Sequence, residues 1–357
     1  MVRRQLECGS AVNGGLAVGC EHCTEGSKLV LFVTGRCSTG CAYCPVSLEK
    51  KGKEVTYANE SRTFSDEDVI AEAEAMDATG TGLTGGDPMQ NFDLTLHYLK
   101  LLKNRFGPEH HVHLYTSTVD YEKTKILKEE GLDEIRFHPR EEEWMDFDTS
   151  ELEKILKIEG LDVGLEVPAL PGREKDLNSL ISKVFDAGVS FMNLNELEFS
   201  ESNWNMMEKE GYLLKDDISS AIKGSEELAL GLIDNHPEKR IHYCSSSFKD
   251  GVQLRRRLIR RGENTAAEYE IVTEDGTILK GLVYSEDVRE ASDFLKEEFG
   301  VPEVLILEDK ERGRVETAPW VLREIADELP YDCYIVEEYP TADRLEVERM
   351  PLGRLTK

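Results

Sequence analysis

The sequence predicts an α/β fold built on a parallel sheet, followed by a small α+β domain. Apolar, strand-like segments alternate with helix-like segments from residue 28 to about residue 200, and beyond Asn264 the pattern changes to a hairpin with a few strands and helices. A strand that is followed by a helix and then by another strand is typical of a parallel sheet. A loop with three cysteines directly follows the first predicted strand.

The alternating region contains six predicted strands and five predicted helices. The strands are 29–33, 81–88 (which ends in a turn), 111–117, 134–138, 161–167 and 190–196. The helices are 65–78, 93–105, 122–130, 149–158 and 175–187. Ser65 is a candidate N-cap of the first helix, and Gly188 follows the last one, as expected of helix ends.

The later part of the chain is predicted to be mainly helical over 201–262, with a short strand near 240–243. Further on, we expect a hairpin of 268–272 and 278–284, a helix at 287–299, a strand at 303–307, a helix at 319–329 and strands at 333–338 and 344–349. The predicted domains are therefore a cysteine-rich arm at 1–27, a parallel core at 28–200, a helical extension at 201–263 and an α+β domain at 264–357.

Composition limits the classes of function. The chain has 357 residues, of which 39% are hydrophobic, enough for one large core and a smaller domain. The net charge of −28 disfavours bulk nucleic-acid binding, because it repels polyanions, although a local basic patch keeps nucleic acid possible as a partner. We expect no membrane-spanning segment and a cytoplasmic location, where the eight cysteines stay reduced.

The most informative motif is the loop that contains Cys37, Cys41 and Cys44. Gly35 and Gly40 free its backbone, so that all three sulfur atoms can approach one centre. Thiolates favour zinc or iron–sulfur clusters, and three ligands leave a coordination position open for chemistry. The alternatives are a structural zinc knuckle and three cysteines buried in a core.

The spacing Cys-x3-Cys-x-aromatic-Cys, with Tyr43 as the aromatic residue, resembles the signature of the radical S-adenosylmethionine (SAM) superfamily. The chain is also similar to an uncharacterised archaeal-type group related to pyruvate formate-lyase activating enzymes, over the stretch from Cys20 to about Ser117 and in the segment that begins at Cys244. The resemblance implies a partial (β/α)6 TIM-like barrel and a [4Fe-4S] cluster. It also implies that SAM is cleaved to methionine and a 5′-deoxyadenosyl radical, which takes hydrogen from a substrate that the sequence does not identify.

The resemblance also implies a set of SAM contacts at the strand ends. The segment Gly85, Gly86, Asp87 and Pro88 resembles the motif that binds the SAM amine, with Asp where Glu is commoner. Thr116 and Ser117 are candidate SAM contacts or caps of the next helix. Further candidates are Tyr43 beside the adenine, Glu166 near the ribose, and Asn195 near the adenine with Asn193 and Glu196. Arg136 and His138 share one face of a strand and are candidates for the SAM carboxylate, for the substrate or for a structural role.

A second metal site is predicted from the remaining cysteines. Cys8, Cys20 and Cys23 precede the first strand, and Cys20 and Cys23 have the two-residue spacing of zinc and iron sites. Cys244 is the preferred fourth ligand and His22 the second choice. The metal is zinc or a second iron–sulfur cluster, and the alternative is a set of unrelated cysteines.

Two further predictions concern partners. Five arginines in the run 249–262 are interpreted either as a grip for an anionic substrate or as partners of neighbouring acids. The expected electron donor is a ferredoxin or a flavodoxin. The alternatives to an enzyme with an unidentified substrate are a non-catalytic redox sensor or scaffold, and a glycyl-radical activase that acts on a partner protein.

Overall fold

The fold contains two compact units. The computed structural model describes residues 3–353, and the chain divides into one unit that comprises the residues up to Glu74 with Ala78–Leu254, and a second that comprises Ala75–Asp77 with the residues from Arg255 onwards. No helix among the described residues is long and apolar enough to span a bilayer. The division into four domains stays a prediction.

The first unit is organised around an eleven-stranded sheet. Its strands are β1 (Arg4–Gln5), β2 (Ala11–Val12), β3 (Lys28–Thr34), β4 (Thr56–Ala58), β5 (Ser61–Thr63), β6 (Gly80–Gly85), β7 (His111–Thr116), β8 (Glu134–Phe137), β9 (Asp162–Pro168), β10 (Phe191–Asn195) and β11 (Ile241–Cys244). Their spatial order is β1-β2-β11-β10-β9-β8-β7-β6-β3-β4-β5.

Seven neighbouring strands in this sheet are parallel, in the order β11-β10-β9-β8-β7-β6-β3, which confirms the predicted parallel sheet. β11 joins the six predicted strands as a seventh, because Asn193 and Asn195 lie opposite His242 and Cys244 in register. In an open α/β sheet, ligands bind beyond the carboxyl ends of the strands. The cysteine loop follows the carboxyl end of β3.

Nine helices belong to this unit in the described chain. They are α1 (Val18–Glu25), α2 (Asp66–Ala75), α3 (Phe92–Phe106), α4 (Tyr121–Glu129), α5 (Ser150–Ile155), α6 (Glu174–Ala187), α7 (Trp204–Lys209), α8 (Ser225–Asn235) and the single turn α9 (Ser246–Phe248). A π-helical turn, Lys249–Leu254, follows α9. The predicted helix at 65–78 ends earlier, at Ala75, and α1 was not predicted, because its eight residues carry little apolar periodicity.

The second unit is a separate antiparallel sheet with three helices. Its helices are α10 (Arg255–Thr265), α11 (Val288–Phe299) and α12 (Pro319–Ile325). Its strands are β12 (Ile271–Val272), β13 (Ile278–Tyr284), β14 (Ile306–Asp309), β15 (Arg314–Thr317), β16 (Asp332–Glu338) and β17 (Glu346–Leu352).

The order of this sheet is β14-β15-β13-β16-β17, with β12 paired to β13 in the predicted hairpin. The predicted bounds of the strand at 303–307 are wrong. Glu303–Leu305 form a 3-10 turn, and the strand begins at Ile306. The predicted helix at 319–329 ends at Ile325 and continues as a 3-10 turn.

Candidate active site

The loop after β3 carries Cys37, Cys41 and Cys44. Cys37 is exposed, and the other two thiols are partly buried. Burial raises the pKa of the Cys41 thiol to about 11, and the neighbouring thiols of Cys37 and Cys44 act in the same direction. The sulfur atoms of Cys37 and Cys44 therefore both lie within electrostatic range of the sulfur of Cys41.

The cysteine loop is held in place from the segment that follows β10. The side-chain amide of Asn203 donates to the carbonyl of Tyr43 at 3.0 Å, and the hydroxyl of Ser202 donates to the carbonyl of Cys44 at 3.0 Å. Asn203 is buried, so this amide cannot exchange its partner for bulk water without cost. These contacts fix the backbone at Tyr43 and Cys44, the last two residues of the cysteine loop.

Gly85 and Gly86 bring the end of β6 against the backbone that leads into the cysteine loop. A Cβ atom on Gly85 would lie 2.4 Å from the carbonyl oxygen of Thr34, and one on Gly86 would lie 2.3 Å from that of Arg36. The backbone nitrogen of Gly86 donates to Thr34 at 2.7 Å, and that of Asp87 donates to Arg36 at 2.8 Å. Both glycines are therefore required by close packing, because any side chain would push the two segments apart.

The carboxylate of Asp87 is fully buried and accepts five hydrogen bonds from the protein. The donors are Met89 N at 3.1 Å, Gln90 Nε2 at 3.2 Å, Thr116 Oγ1 at 2.6 Å, Ser117 Oγ at 2.7 Å and Thr118 Oγ1 at 2.7 Å. Pro88 begins the 3-10 turn that Asp87 caps. Asp87 thus organises the turn. Because its carboxylate is engaged, the partly exposed backbone of Gly85 and Gly86 is what the turn can offer to a ligand.

The Asp87 cluster is connected to the cysteine loop. The Ser117 hydroxyl lies 2.8 Å from the hydroxyl of Thr39, and the backbone nitrogen of Thr39 donates to the sulfur of Cys37 at 3.4 Å, a bond that a thiolate also accepts. A chain of hydrogen bonds thus runs from Cys37 through Thr39 and Ser117 to Asp87. Thr116 is buried and bonded to Asp87, so its hydroxyl is engaged with the protein.

Tyr43 is fixed by His138. The Tyr43 hydroxyl lies 3.0 Å from Nε2 of His138, whose Nδ1 lies 2.7 Å from the carbonyl oxygen of Glu166. A carbonyl only accepts, so Nδ1 carries the proton, and burial lowers the pKa of His138 and keeps the ring neutral. Nε2 is then the acceptor, and the Tyr43 hydroxyl donates to it. His138 is therefore a positioning residue for the aromatic ring of the cysteine loop.

Glu166, which is partly exposed, forms an ion pair with the buried side chain of Arg136. Its carboxylate accepts from Arg136 Nη1 at 2.8 Å, from Asn193 at 2.9 Å and from Asn195 at 3.0 Å. Burial alone would raise the pKa of Glu166, but the charge of Arg136 and these hydrogen bonds outweigh it and lower the pKa to about 2. Arg136 also donates to Glu134 at 2.5 Å. Glu166 therefore stays ionised and does not exchange protons near neutral pH.

As the side chains stand, no three His, Cys, Asp or Glu residues within 3–353 are positioned to hold a metal ion. The thiols of either cysteine group would have to rotate to bind one. His22 is engaged elsewhere, because its Nδ1 lies 2.9 Å from Thr79 Oγ1. Cys333 is fully buried in the core of the second unit, as expected of a cysteine in an apolar strand and not of a metal ligand.

Comparisons with known proteins identify the family. Residues 31–139 match the model of the radical SAM superfamily, and residues 276–352 match a domain of unknown function (DUF8061). A protein of Methanocaldococcus jannaschii, provisionally named a glycyl-radical enzyme activating enzyme, is 43% identical in an alignment of 358 positions that covers 94% of this chain and 93% of that protein. This chain belongs to the radical SAM superfamily. The predicted enzyme class and partial-barrel fold are thereby confirmed.

Two solved structures are similar to part of this chain at low sequence identity. One is the FeFe-hydrogenase maturase HydG from Carboxydothermus hydrogenoformans, 18% identical, with a TM-score of 0.36 over 49% of this chain and 46% of that chain. The other is the methyltransferase TsrM from Kitasatospora setae, described with cobalamin and a [4Fe-4S] cluster, 12% identical, with a TM-score of 0.37 over 64% of this chain and 52% of that chain. This chain spans about half the length of each.

The radical SAM enzyme uses a [4Fe-4S] cluster and SAM as cofactors. The residues present fit both groups. Three soft thiolates in one loop match a cluster with one open iron. The Gly85–Gly86 backbone packs directly against the segment that leads into the cysteine loop, so the turn lies beside these thiols at the same edge of the sheet.

The arginine run has protein partners in the second unit. Arg255 donates to the carbonyl of Glu274 at 3.2 Å, and Arg260 donates to the carboxylate of Asp77 at 2.5 Å. Arg261 donates to the carbonyl of Pro340. These contacts favour the structural alternative over a grip for an anionic substrate.

Several residues near the site were not found from the sequence. Thr39 and Thr118 complete the hydrogen-bond chain, Ser202 and Asn203 anchor the loop, and His242 lies buried in β11. Only His242 had a detectable signal, since it precedes Cys244 by two residues and so shares its strand face. The others depend on contacts between residues far apart in the chain.

Proposed function

We propose that this enzyme is a glycyl-radical activase, which removes a hydrogen atom from a glycine of a partner protein. The proposal is supported by the relative that matches it over nearly its whole length and carries that name. The observation in the site that carries the chemistry is the hydrogen-bond chain from Cys37 to Asp87, since it couples the cysteine loop to the Gly85–Gly86 turn.

The proposed roles follow the geometry. Cys37, Cys41 and Cys44 hold the cluster, and the backbone at Gly85 and Gly86 receives the SAM amine, with Asp87 and Pro88 shaping the turn. The proposed outer contacts of SAM are Tyr43 with the adenine, Thr116 and Ser117 through the Asp87 cluster, Glu166 near the ribose and Asn195 near the adenine.

The reaction balances with one electron from outside. With both cofactors bound, a ferredoxin or flavodoxin supplies the electron that cleaves SAM to methionine and a 5′-deoxyadenosyl radical. Hydrogen transfer from the glycine α-carbon then yields 5′-deoxyadenosine and a glycyl radical. The chain's own contribution is to orient SAM and to keep water away from the reacting atoms.

Isotope transfer tests the proposal. The enzyme is reconstituted anaerobically with iron and sulfide, reduced with dithionite, and mixed with SAM and a glycyl-radical enzyme such as pyruvate formate-lyase labelled with α-deuterated glycine. Deuterium in the 5′-deoxyadenosine, measured by mass spectrometry, supports an activase. Formation of 5′-deoxyadenosine that stays unlabelled with every glycyl-radical enzyme offered would refute the activase and retain the radical SAM reaction.

The site assignment has its own matched variants. Cys41→Ala should abolish 5′-deoxyadenosine formation, because two thiolates cannot retain the cluster. Cys333→Ala changes a buried cysteine of the second unit and should keep the activity. Equal activity in both variants would remove Cys41 from the proposed cluster site.

A further inference from the structure

Four cysteines of the first unit lie outside the β3 loop and surround the π-helical turn at 249–254. They are Cys8, Cys20, Cys23 and Cys244. Cys20 and Cys23 lie one turn apart on α1, so they share a face, and α1 packs against the π-helical turn Lys249–Leu254. A Cβ atom on Gly251, within this turn, would lie 3.4 Å from the sulfur of Cys8. The amide of Gln253 lies 3.7 Å from the sulfur of Cys244. Residues from three distant parts of the sequence thus converge at one place.

The backbone around these cysteines is fixed. The Ser245 hydroxyl donates to the carbonyl of Cys8 at 2.6 Å, and the backbone nitrogen of Ser245 donates to Ser10 at 2.9 Å. Cys8 itself has a left-handed backbone (φ 49), which costs free energy for a residue that is not glycine. The N-terminal segment is therefore held beside the end of β11 at a defined position.

A cation acts on each of the three inner thiols. The charges of Arg136 and Lys249 act on the sulfur atoms of Cys20 and Cys244, respectively. A Cβ atom on Gly19, the residue before Cys20, would lie 2.7 Å from Nη2 of Arg136. Lys28 has Cys23 as a hydrogen-bond partner. Such neighbours stabilise thiolates and offset the negative charge of a metal ion or cluster held by four sulfur atoms.

A buried histidine beside the cysteines has ring nitrogens that no described protein group satisfies. His242 is 4% exposed, and neither of its nitrogens has a hydrogen-bond partner within residues 3–353. It lies opposite Asn193 in register, and the Asn193 amide donates to the sulfur of Cys20 at 3.2 Å. A buried, unpaired imidazole is costly unless a further group binds there, so this region is suited to a ligand.

We propose that Cys8, Cys20, Cys23 and Cys244 hold a second thiolate metal centre, separate from the cluster of the β3 loop. Four thiolates suit a closed zinc site or a second iron–sulfur cluster, and both share the same ligand chemistry. The centre joins the N-terminal segment and α1 to the end of β11. It does not depend on the glycyl-radical activase proposal.

Metal content tests the proposal without any activity measurement. In the variant C37A/C41A/C44A, purified anaerobically, the chain should retain about one zinc, or about four irons with sulfide. Adding C8S and C244S should remove that metal. Adding C333S instead, a matched cysteine far from the group in sequence and located in the second unit, should leave the metal in place. A metal-free C37A/C41A/C44A chain with native circular dichroism would overturn the proposal, and so would metal that survives the added C8S and C244S.

A milder variant covers the case in which the multiple replacements fail to fold. Cys8 is exposed, so C8S alone should fold as the wild type does. In the wild-type background, C8S should release zinc or iron to a chelator at least tenfold faster, while the iron of the β3-loop cluster, followed by its reduced electron paramagnetic resonance signal, is retained. Release at the wild-type rate would overturn the proposal.

Discussion

Asp87→Asn tests whether the buried carboxylate organises the site. One of its two oxygen atoms accepts from Met89 N and Thr116, and the other accepts from Gln90, Ser117 and Thr118. An asparagine amide turns one of these positions into a donor, whichever way it is oriented. Two or three charge-assisted hydrogen bonds are therefore lost or replaced by neutral ones.

The expected loss is the sum of these changes. A hydrogen bond to a charged group contributes about 1.5–3 kcal/mol and a neutral one about 1 kcal/mol, so each conversion costs about 1 kcal/mol. The free energy of unfolding should fall by roughly 2–3 kcal/mol, which lowers the midpoint temperature by about 5–10 °C for a unit of this size. Binding of SAM should weaken about tenfold or more, because the chain to Cys37 is disturbed.

The assay is anaerobic denaturant unfolding, together with SAM binding by calorimetry. The matched control is Asp93→Asn, an exposed acid in the first turn of α3, for which we expect a change within about 0.5 kcal/mol. If Asp87→Asn also changed stability by less than about 0.5 kcal/mol and left SAM affinity intact, the account of the Asp87 cluster would be wrong.

Three further predictions concern Glu166, Gly86 and His110. Glu166→Gln should lower the free energy of unfolding at pH 7.5 by about 3 kcal/mol, because it leaves Arg136 with one partner fewer. Gly86→Ala should cost about 1–3 kcal/mol and abolish SAM cleavage, since its Cβ would meet the carbonyl of Arg36 at 2.3 Å. Burial, with Lys103, lowers the pKa of His110 to about 4, below its unfolded value of about 6.5. The unfolded chain therefore binds the proton first, and this histidine should remove about 1.4 kcal/mol of stability per pH unit as the pH falls from 6.5 to 4.

Each of these has a control. Gly15→Ala places a Cβ where no atom lies within 4 Å and should leave stability unchanged. His110→Gln removes the titrating group, so the stability gap between this variant and the wild type should narrow from pH 7.5 to pH 5.5. A constant gap would show that His110 is not held neutral by the fold. Glu142→Gln, at an exposed acid, should not reproduce the effect of Glu166→Gln.

The core of the fold was predictable because its signal is local. Most of the parallel strands alternate with helices along the chain, and this alternation of strand-like and helix-like segments is visible in the sequence. β15 was not predicted, because Arg314 and Glu316 interrupt its apolar pattern. Both side chains are buried on the same face of the strand, where they form an ion pair. Helix α1 escaped because it is short.

The site was predictable only where a motif exists. The three cysteines of the β3 loop and the Gly85–Gly86 turn were found because their spacing is local. That Asp87 serves protein hydroxyls depends on Thr116, Ser117 and Thr118, about thirty residues further along the chain. Such contacts arise from the register of β6 and β7, which no local pattern specifies.

The measurement closest to the central claim is electron–nuclear double resonance of the dithionite-reduced enzyme with SAM labelled with ¹⁵N at its amine. If Cys37, Cys41 and Cys44 leave one iron open, the cluster signal should show coupling to the labelled nitrogen, and Cys41→Ala should eliminate it. A reduced cluster that shows no coupling to SAM would contradict the account, as would zinc instead of iron on these three thiols.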